Sequence, residues 1–558
     1  MVSVVNLIRE LQAASEQLEV AVERYHNACR TIRESYLEAK IIRDVPQELL
    51  TYIHHELPRV SSCNKKVLQA KAAICQTRNC SSQIVSIHGL PTEVLTRIFQ
   101  IVVGAQWCDI SGYRTTRRVE QPSGSYPDQP VVISHVCSYW RQIIISSSAL
   151  WSHVDFSFPD ITNDPQSIPR LVTSVSRSGQ SLLDVHIDAS DYFNVPTTID
   201  EMNQFITLVG PRTKSLELEV GLHMYTGTTS LSLSFCRSVL NSCFAHCVPG
   251  VLRQLSLLKR GNHYFYQAIE PADKTRTHES MLLDLPERQL ESLWGHINVL
   301  RLQGLCPPWN SRIYRGLVEL RLPSAPGGSI TEREFVAILE SSPGLRILEF
   351  GLDVTTQSPA AASKKPVSLV DLEILITGPW PRSKLSHFHG LIAPGSKPLC
   401  VSVINPNASI FLDEAPALFD YEIKKFFARS NLTSFGVTSI NKYTEILELL
   451  DLVPQVRVLG LTGCNCEELD EGLKTPPIPM NIDTVYLLHE CYMELSTLKH
   501  LVQTYRVKTI IFWGDNTIES TQNPVEKETL EMELKKHCST VEFRSTDEPN
   551  PFEGHEWY

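Results

Sequence analysis

No stretch of this sequence is apolar for the roughly 20 residues a membrane-spanning helix needs. Positive charge is also short. The 558 residues hold 51 lysines and arginines against 62 aspartates and glutamates, a net charge of −11. Nucleic-acid binders show the opposite balance, because phosphate neutralisation supplies much of their affinity. The 15 cysteines lack paired spacing, so neither a disulfide framework nor a zinc ribbon is expected, and reduced thiols fit the cytoplasm or nucleus. The opening residues Met1 to Leu7 meet Arg9 and Glu10 before a signal-peptide core can form. Catalytic motifs are missing as well: there is no Gly-x-Ser-x-Gly elbow, no phosphate-binding glycine loop and no His-Glu-x-x-His. The expectation is a non-enzymatic, cytoplasmic or nuclear protein with no catalytic, cofactor or metal residues and no membrane or nucleic-acid partner.

What is present suits a folded chain of several domains: 42% of residues are apolar and 20% charged. Leu7, Leu11, Ala14, Leu18, Val22, Tyr25, Cys29, Ile32, Tyr36 and Ala39 recur at steps of four and three, with an extra four-step at Leu18 to Val22. That spacing predicts a long helix over 4–43 with an a/d seam carrying a stutter. Residues 1–45 are either a coiled coil for self-association or a helix packed on its own chain. Pro46 ends or kinks this helix and Pro58 interrupts the next segment. Residues 46–86 then read as a helical linker with one short helix over 65–76. His54, His55 and Cys63 lack a second ligand pair and read as surface groups.

Residues 87–155 carry the most specific pattern. It begins Gly89-Leu90-Pro91-Thr92-Glu93-Val94-Leu95-Thr96-Arg97-Ile98-Phe99. Pro91 suits a first helical turn and Glu93 suits the positive end of the helix dipole. Val94, Leu95, Ile98, Phe99 and Val102 form an apolar helix stripe, and Val132, Val136, Trp140, Ile143 and Ile144 a second. Such a thin helical layer leaves apolar surface for another domain or chain to cover. The intervening 103–130 holds Gly112, Pro122, Gly124, Pro127 and Pro130, with Arg114, Arg117 and Arg118, and reads as an exposed inserted loop. Its arginines are either solvated or available to an acidic partner.

Leu90-Pro91-x-Glu93-Val94-Leu95-x-x-Ile98-Phe99, then Val136-Cys137-x-x-Trp140-Arg141, then Leu150-Trp151, resembles the F-box, most closely the large F-box-like family of fungi. The resemblance covers residues 87–151 in detail. It implies a small three-helix module that docks on the Skp adaptor, and through it on a cullin-RING ubiquitin ligase. Carried over, Leu90, Pro91, Val94, Leu95, Ile98, Phe99, Val136 and Trp140 are the adaptor-binding positions or the module's own core. The insertion at 103–130 departs from the compact form of the motif and puts access to the docking face in question.

Over 171–558 the pattern Leu-x-x-Leu-x-Leu, with apolar substitutes, recurs. It appears at Leu182-Val185-Ile187, Leu252-Leu255-Leu257, Ile297-Leu300-Leu302, Leu317-Leu320-Leu322, Leu345-Leu348-Phe350 and Leu369-Leu372-Ile374. Leu432-Phe435-Val437, Val456-Leu459-Leu461, Ile482-Val485-Leu487 and Val507-Ile510-Phe512 continue it, with weaker copies at Leu216-Leu218, Val401-Val403 and Val541-Phe543. Each reads as a short strand with one buried face, and helices are predicted over 331–341, 421–429, 442–451, 494–505 and 525–537. The period is that of leucine-rich repeats. No clean asparagine ladder accompanies it, so an irregular repeat solenoid and an ordinary α/β domain both stand. An F-box followed by such repeats, including Arg177-Ser178-Gly179 and Ser181-Leu182-Leu183, also resembles the plan of the fungal family. Cys464-Asn465-Cys466 lacks matching ligands, and Glu467 to Glu471 read as a solvated acidic loop.

The expected fold is therefore α+β and multi-domain: an N-terminal helix, a three-helix F-box and a C-terminal irregular leucine-rich-repeat solenoid. The expected function is that of a substrate receptor of a Skp-cullin-F-box ubiquitin ligase, joining the Skp adaptor to an unidentified target protein. The alternatives are an interaction scaffold built from the coiled coil and repeats, and a hydrolase hidden in the α/β region, for which no nucleophile–base pair is visible.

Overall fold

The computed structural model describes residues 3–37, 45–79, 86–105, 129–157, 167–189, 198–221, 229–260, 267–274, 280–323, 327–355, 365–378, 387–404, 421–440, 442–466, 481–488, 490–514, 516–520, 523–544 and 552. The inserted arginines, the acidic run at 467–471 and the end of the N-terminal seam at Ala39 lie outside them. The fold is α+β. The chain divides into two compact units, Met1–Leu95 and Thr96–Tyr558.

The first unit is built on two long helices, α1 (Val4–Leu37) and α2 (Gln47–Asn79). The Tyr25 hydroxyl donates to Glu56 at 3.4 Å and joins them. The seam residues Leu7, Leu11, Leu18, Val22 and Tyr25 are nevertheless exposed. Pro58 does not interrupt the second segment, and the short helix expected over 65–76 is only part of α2. An interior proline removes one backbone hydrogen bond. Because α2 buries no residue along its length, water can satisfy the carbonyl that is released.

In the second unit one sheet dominates, fourteen strands among the described residues. Its first four are β1 (His153–Ser157), β2 (Leu183–Ala189), β3 (Thr213–Gly221) and β4 (Gln254–Arg260). Val299–Gln303, Glu319–Leu322, Ile347–Phe350, Ile374–Thr377, Leu399–Ile404, Leu432–Thr438, Val458–Thr462, Thr484–Leu488, Thr509–Trp513 and Thr540–Arg544 continue it. Each strand joins the sheet beside its predecessor, and each pairing is parallel.

Parallel register sets like residues side by side, so the recurring apolar pattern becomes continuous rows. One row runs Val154, Val185, Leu216, Leu255, Leu300, Leu320, Leu348 and Leu375, then Val401, Phe435, Leu459, Val485, Ile510 and Val541. All of them are buried. Burying each large apolar side chain stabilises by about 1.5–3 kcal/mol, and no strand does so without its neighbours.

Helices connect the strands on the buried side. Those at Glu332–Glu340, Tyr421–Arg429, Tyr443–Leu452, Leu495–Thr504 and Lys527–Leu534 lie where the sequence predicts them. Thr331 and Glu334 close a capping box on the first. Four more helices, Ser167–Arg177, Thr198–Val209, Thr229–His246 and Glu287–Trp294, lie outside the predicted set.

The chain leaves several strands through a left-handed residue. Gly463 (φ 58°) comes after Thr462 and Gly514 (φ 80°) after Trp513, with Ser439 and Glu490 at equivalent corners. Beyond two of these corners, side chains tie neighbouring turns together. The Cys491 thiol donates to Leu461 O at 3.1 Å, and Asn516 Nδ2 donates to Leu487 O at 2.9 Å. A short cysteine–asparagine ladder thus stands in place of a clean asparagine one.

Two expectations need correction. The pattern Leu369-Leu372-Ile374 is out of register: Leu375 and Thr377 occupy the core rows, while Ile374 faces the other side with Ile347 and Ile376. The sheet also begins at His153, at the end of the segment read as the F-box and before residue 171, the expected start of the repeat region.

A fragment spanning 147–558 is therefore expected to be soluble, with a mixed α/β circular dichroism spectrum. One starting at Leu171 lacks β1 and bares the edge of β2, so it is expected to associate in light scattering. A monomeric Leu171 fragment, or a predominantly helical spectrum from either, would contradict this architecture.

Candidate functional site

The segment with the motif residues folds into α3 (Thr92–Ala105), α4 (Gln129–Ser134) and α5 (Ser138–Ser146), and then enters β1. The division between the two units falls inside α3. Leu90 and Pro91 lead into this helix and are exposed. Along it Val94, Ile98, Ile101 and Val102 share a sector of roughly 100°, adjacent to the sector of Leu95 and Phe99. The second sector is interior, with Leu95 0% and Phe99 2% exposed. Of the two roles that the resemblance leaves open for these residues, adaptor contact or core, their burial fits the second, because they lie on the helix face turned inward. On the first sector Val94 is 43% and Ile101 58% exposed, and Ile98 is half-buried.

The second apolar stripe is not one helix. The chain breaks between α4 and α5, and Val136 sits in the break, 60% exposed. Cys137 causes the restart: it takes extended geometry and its sulfur accepts from Trp140 N at 3.4 Å, acting as an N-cap. Arg141 Nε bonds back to Ser134 O at 3.0 Å and ties α5 to α4. The Trp140 ring packs 4.8 Å from Phe99, while its shielded Nε1 makes no hydrogen bond. Trp151 is buried and donates to Ile144 O at 2.8 Å, with the Arg177 guanidinium 4.5 Å over its ring. Val132 and Ile145 remain exposed on α4 and α5. The buried and capping positions of the motif thus have distinct local tasks, and a set of apolar side chains is left facing outward.

A second candidate surface is the sheet face opposite the core. Across the early strands it is charged. Glu319 bonds Arg301 Nε at 2.7 Å and Arg321 Nε at 2.6 Å, and Arg321 reaches Glu349 at 3.3 Å. Burial opposes ionisation of Glu319, yet the two guanidiniums prevail and hold its carboxyl down at about 2. At the edge, Asp155 Oδ1 lies 3.1 Å from His153 Nε2 and 3.3 Å from His186 Nδ1. Burial works against the Asp155 charge, but the two imidazoles hold it well below the usual carboxylate range. Burial likewise opposes the charge on His153, and Asp155 with its acidic neighbours raises its pKa. The sequence pattern points to no metal residues and hides this group. Its only local signal is a His-x-Asp alternation on one strand, and the third member arrives by register from the next.

Over the later strands the same face turns apolar. Leu488, Trp513 and Phe552 pack together, and Phe552 lies against Gly436 and Gly460. A Cβ at Gly460 would collide with the Phe552 ring. Elsewhere burial pushes the Cys236 and Cys247 thiols up to about 12, so they stay protonated at neutral pH. Among the described residues no helix is long and apolar enough to cross a membrane.

The Glu319 charge network predicts acid sensitivity with a definite sign. A carboxyl whose folded pKa is depressed contributes stability above its ordinary value near 4.3, and this is lost as pH falls through about 2. Glu319→Gln is expected to be less stable than the wild type in urea at pH 7, with the gap closing as pH falls from about 4.5 towards 2. A gap that is constant with pH would remove the assignment.

Comparison with protein-family models finds no match to this chain, and comparison with curated proteins finds none either.

Proposed function

We propose that this chain is the substrate-receptor subunit of a Skp-cullin-F-box ubiquitin ligase. The observation that supports the reading is the division of labour within 87–155. Motif residues Leu95, Phe99 and Trp151 are each buried, while Leu90, Val94 and Val136 remain exposed and apolar. Exposed apolar side chains on a thin helical layer suit a protein partner. In this reading the F-box occupies 87–155, with 1–45 and 46–86 as the preceding helix and linker, in a cytoplasmic or nuclear protein.

The sheet region, expected over 171–558 and beginning earlier in the fold, is read as an irregular leucine-rich-repeat solenoid. Sequential parallel strands, repeated left-handed corners and the Cys491 and Asn516 cross-links support this. Its face would hold the target protein. Catalysis then needs no group from this chain: holding a target lysine near the charged partner enzyme makes the transfer effectively intramolecular.

A second reading, a non-ligase scaffold, is favoured by one feature. The α1 seam residues Leu7, Leu11, Leu18 and Val22 are exposed in the single chain, as a self-association seam would be.

The test is a pull-down of the full chain with purified Skp adaptor and cullin. Wild type is expected to capture both. Leu90→Asp with Ile98→Asp, and separately Val136→Asp, are expected to weaken adaptor binding by about 30-fold or more, since a central contact is worth about 2 kcal/mol or more. Full binding by the variants, or none by folded wild type, would reject the receptor reading. A dimer by light scattering that Leu11→Glu with Leu18→Glu dissolves, without adaptor capture, would favour the scaffold.

A further inference from the structure

We propose that His153, Asp155 and His186 form a binding site for a divalent transition-metal ion of the zinc class, at the first edge of the sheet. Each of the three residues offers one donor atom, and these atoms all lie within 4.8 Å of one another; Asp155 Oδ1 faces His153 Nε2 and His186 Nδ1. A tetrahedral ion with bonds of about 2.0–2.1 Å has donor–donor edges of about 3.3–3.4 Å. The observed separations from Asp155 Oδ1, 3.1 and 3.3 Å, are close to those edges.

The backbone builds this convergence. His153 and Asp155 alternate on β1 and so share a face, while His186 is the direct register partner of Asp155 on β2. The two imidazoles meet edge to face with centroids 4.5 Å apart. Two paired strands therefore fix the donors before any ion arrives, which reduces the ordering cost of binding.

Hydrogen bonding alone leaves part of the group unexplained. His186 Nδ1 is shielded from solvent and forms no hydrogen bond, although it stands beside Asp155 Oδ1. A metal ion would use its lone pair. Two neutral imidazoles and one carboxylate are a donor set suited to Zn2+ and to other late first-row divalent ions.

The surroundings extend the match. Glu217 on β3 is the register partner of His186, and its Oε2 lies 3.8 Å from His186 Nε2. With Nδ1 on the metal, Nε2–H faces this carboxylate, the arrangement that orients metal-bound histidines. Glu217 is thus a positioning residue rather than a ligand. Asp184, Asp188 and Glu219 share this sheet face and add negative charge that attracts a cation. His153 and Asp155 keep about a third of their side-chain surface exposed, which leaves an entry path and a fourth position for water.

Cobalt is the probe, because N/O and thiolate ligation give different spectra. Titrating the full chain with Co2+ alone is expected to show one equivalent with intense visible d–d absorption. No near-ultraviolet thiolate charge-transfer band should accompany it, and Zn2+ should displace the ion. His186→Asn and Asp155→Asn are each expected to abolish the signal while retaining the wild-type circular dichroism. Glu217→Gln is expected to bind about 10- to 100-fold more weakly with the same spectrum. If either ligand variant fails to fold, His153→Gln, at the more exposed position, is the replacement. Absence of the signal in folded wild type, a thiolate band, or wild-type affinity in folded ligand variants would overturn the proposal.

Discussion

Register across parallel strands is the constraint on which the second unit depends. The row from Val154 to Val541 is buried only because each strand meets its predecessor in the phase that places one apolar residue beside the next. A slip of one residue would turn that row outward and drive the opposite face, with Glu319 and Arg321, into the core. Burying such charges without their partners costs several kcal/mol, so the polar face also opposes a slip of register. The left-handed corners at Gly463 and Gly514 serve the same end by turning the chain immediately after their two strands.

The helical segment depends on a different device, a series of local ties. Cys137 restarts the helix, Arg141 fastens it to α4, and Trp151 is pinned by Ile144 O beneath Arg177. Side chains so occupied leave the apolar residues between them without intramolecular work. Val136 is the clearest case: it sits in the break that Cys137 creates and is mostly exposed. Exposure of this kind results from the way the motif folds, and the F-box reading draws its weight from it.

The strands were largely legible because half of the residues in each six-residue pattern are apolar, and a period so strong survives irregular spacing. It failed at Leu369 for a physical reason. Leu369 is itself buried, in a small separate strand paired with Ile392–Pro394, while the true core row takes Thr377, whose hydroxyl reaches Ser402 O at 3.4 Å. A polar residue in an apolar row hid the register. The ladder was obscured in the same way, since a cysteine, Cys491, donates at one of its rungs. The serine-rich helix Thr229–His246 has little intrinsic helical preference and is held by Val239, Leu240, Cys243 and Phe244 in the core. The metal-like group was invisible because its geometry arises only when β2 docks on β1. Residues distant in the chain become a site through register alone.

The strictly sequential strand order has a mechanical consequence. Each strand is paired only with the strands next to it, so tension applied along the chain would peel the sheet from its ends rather than shear it as one block. One of the two end seams is β1 against β2, the seam spanned by Asp155 and His186. A bond across that seam acts as a clasp on the end of a zipper: it adds little to the number of contacts but raises the force at which unravelling starts. Because α5 leads into β1 through only the short turn Ser148–Trp151, any pull on the helical segment reaches that clasp before it reaches the rest of the sheet.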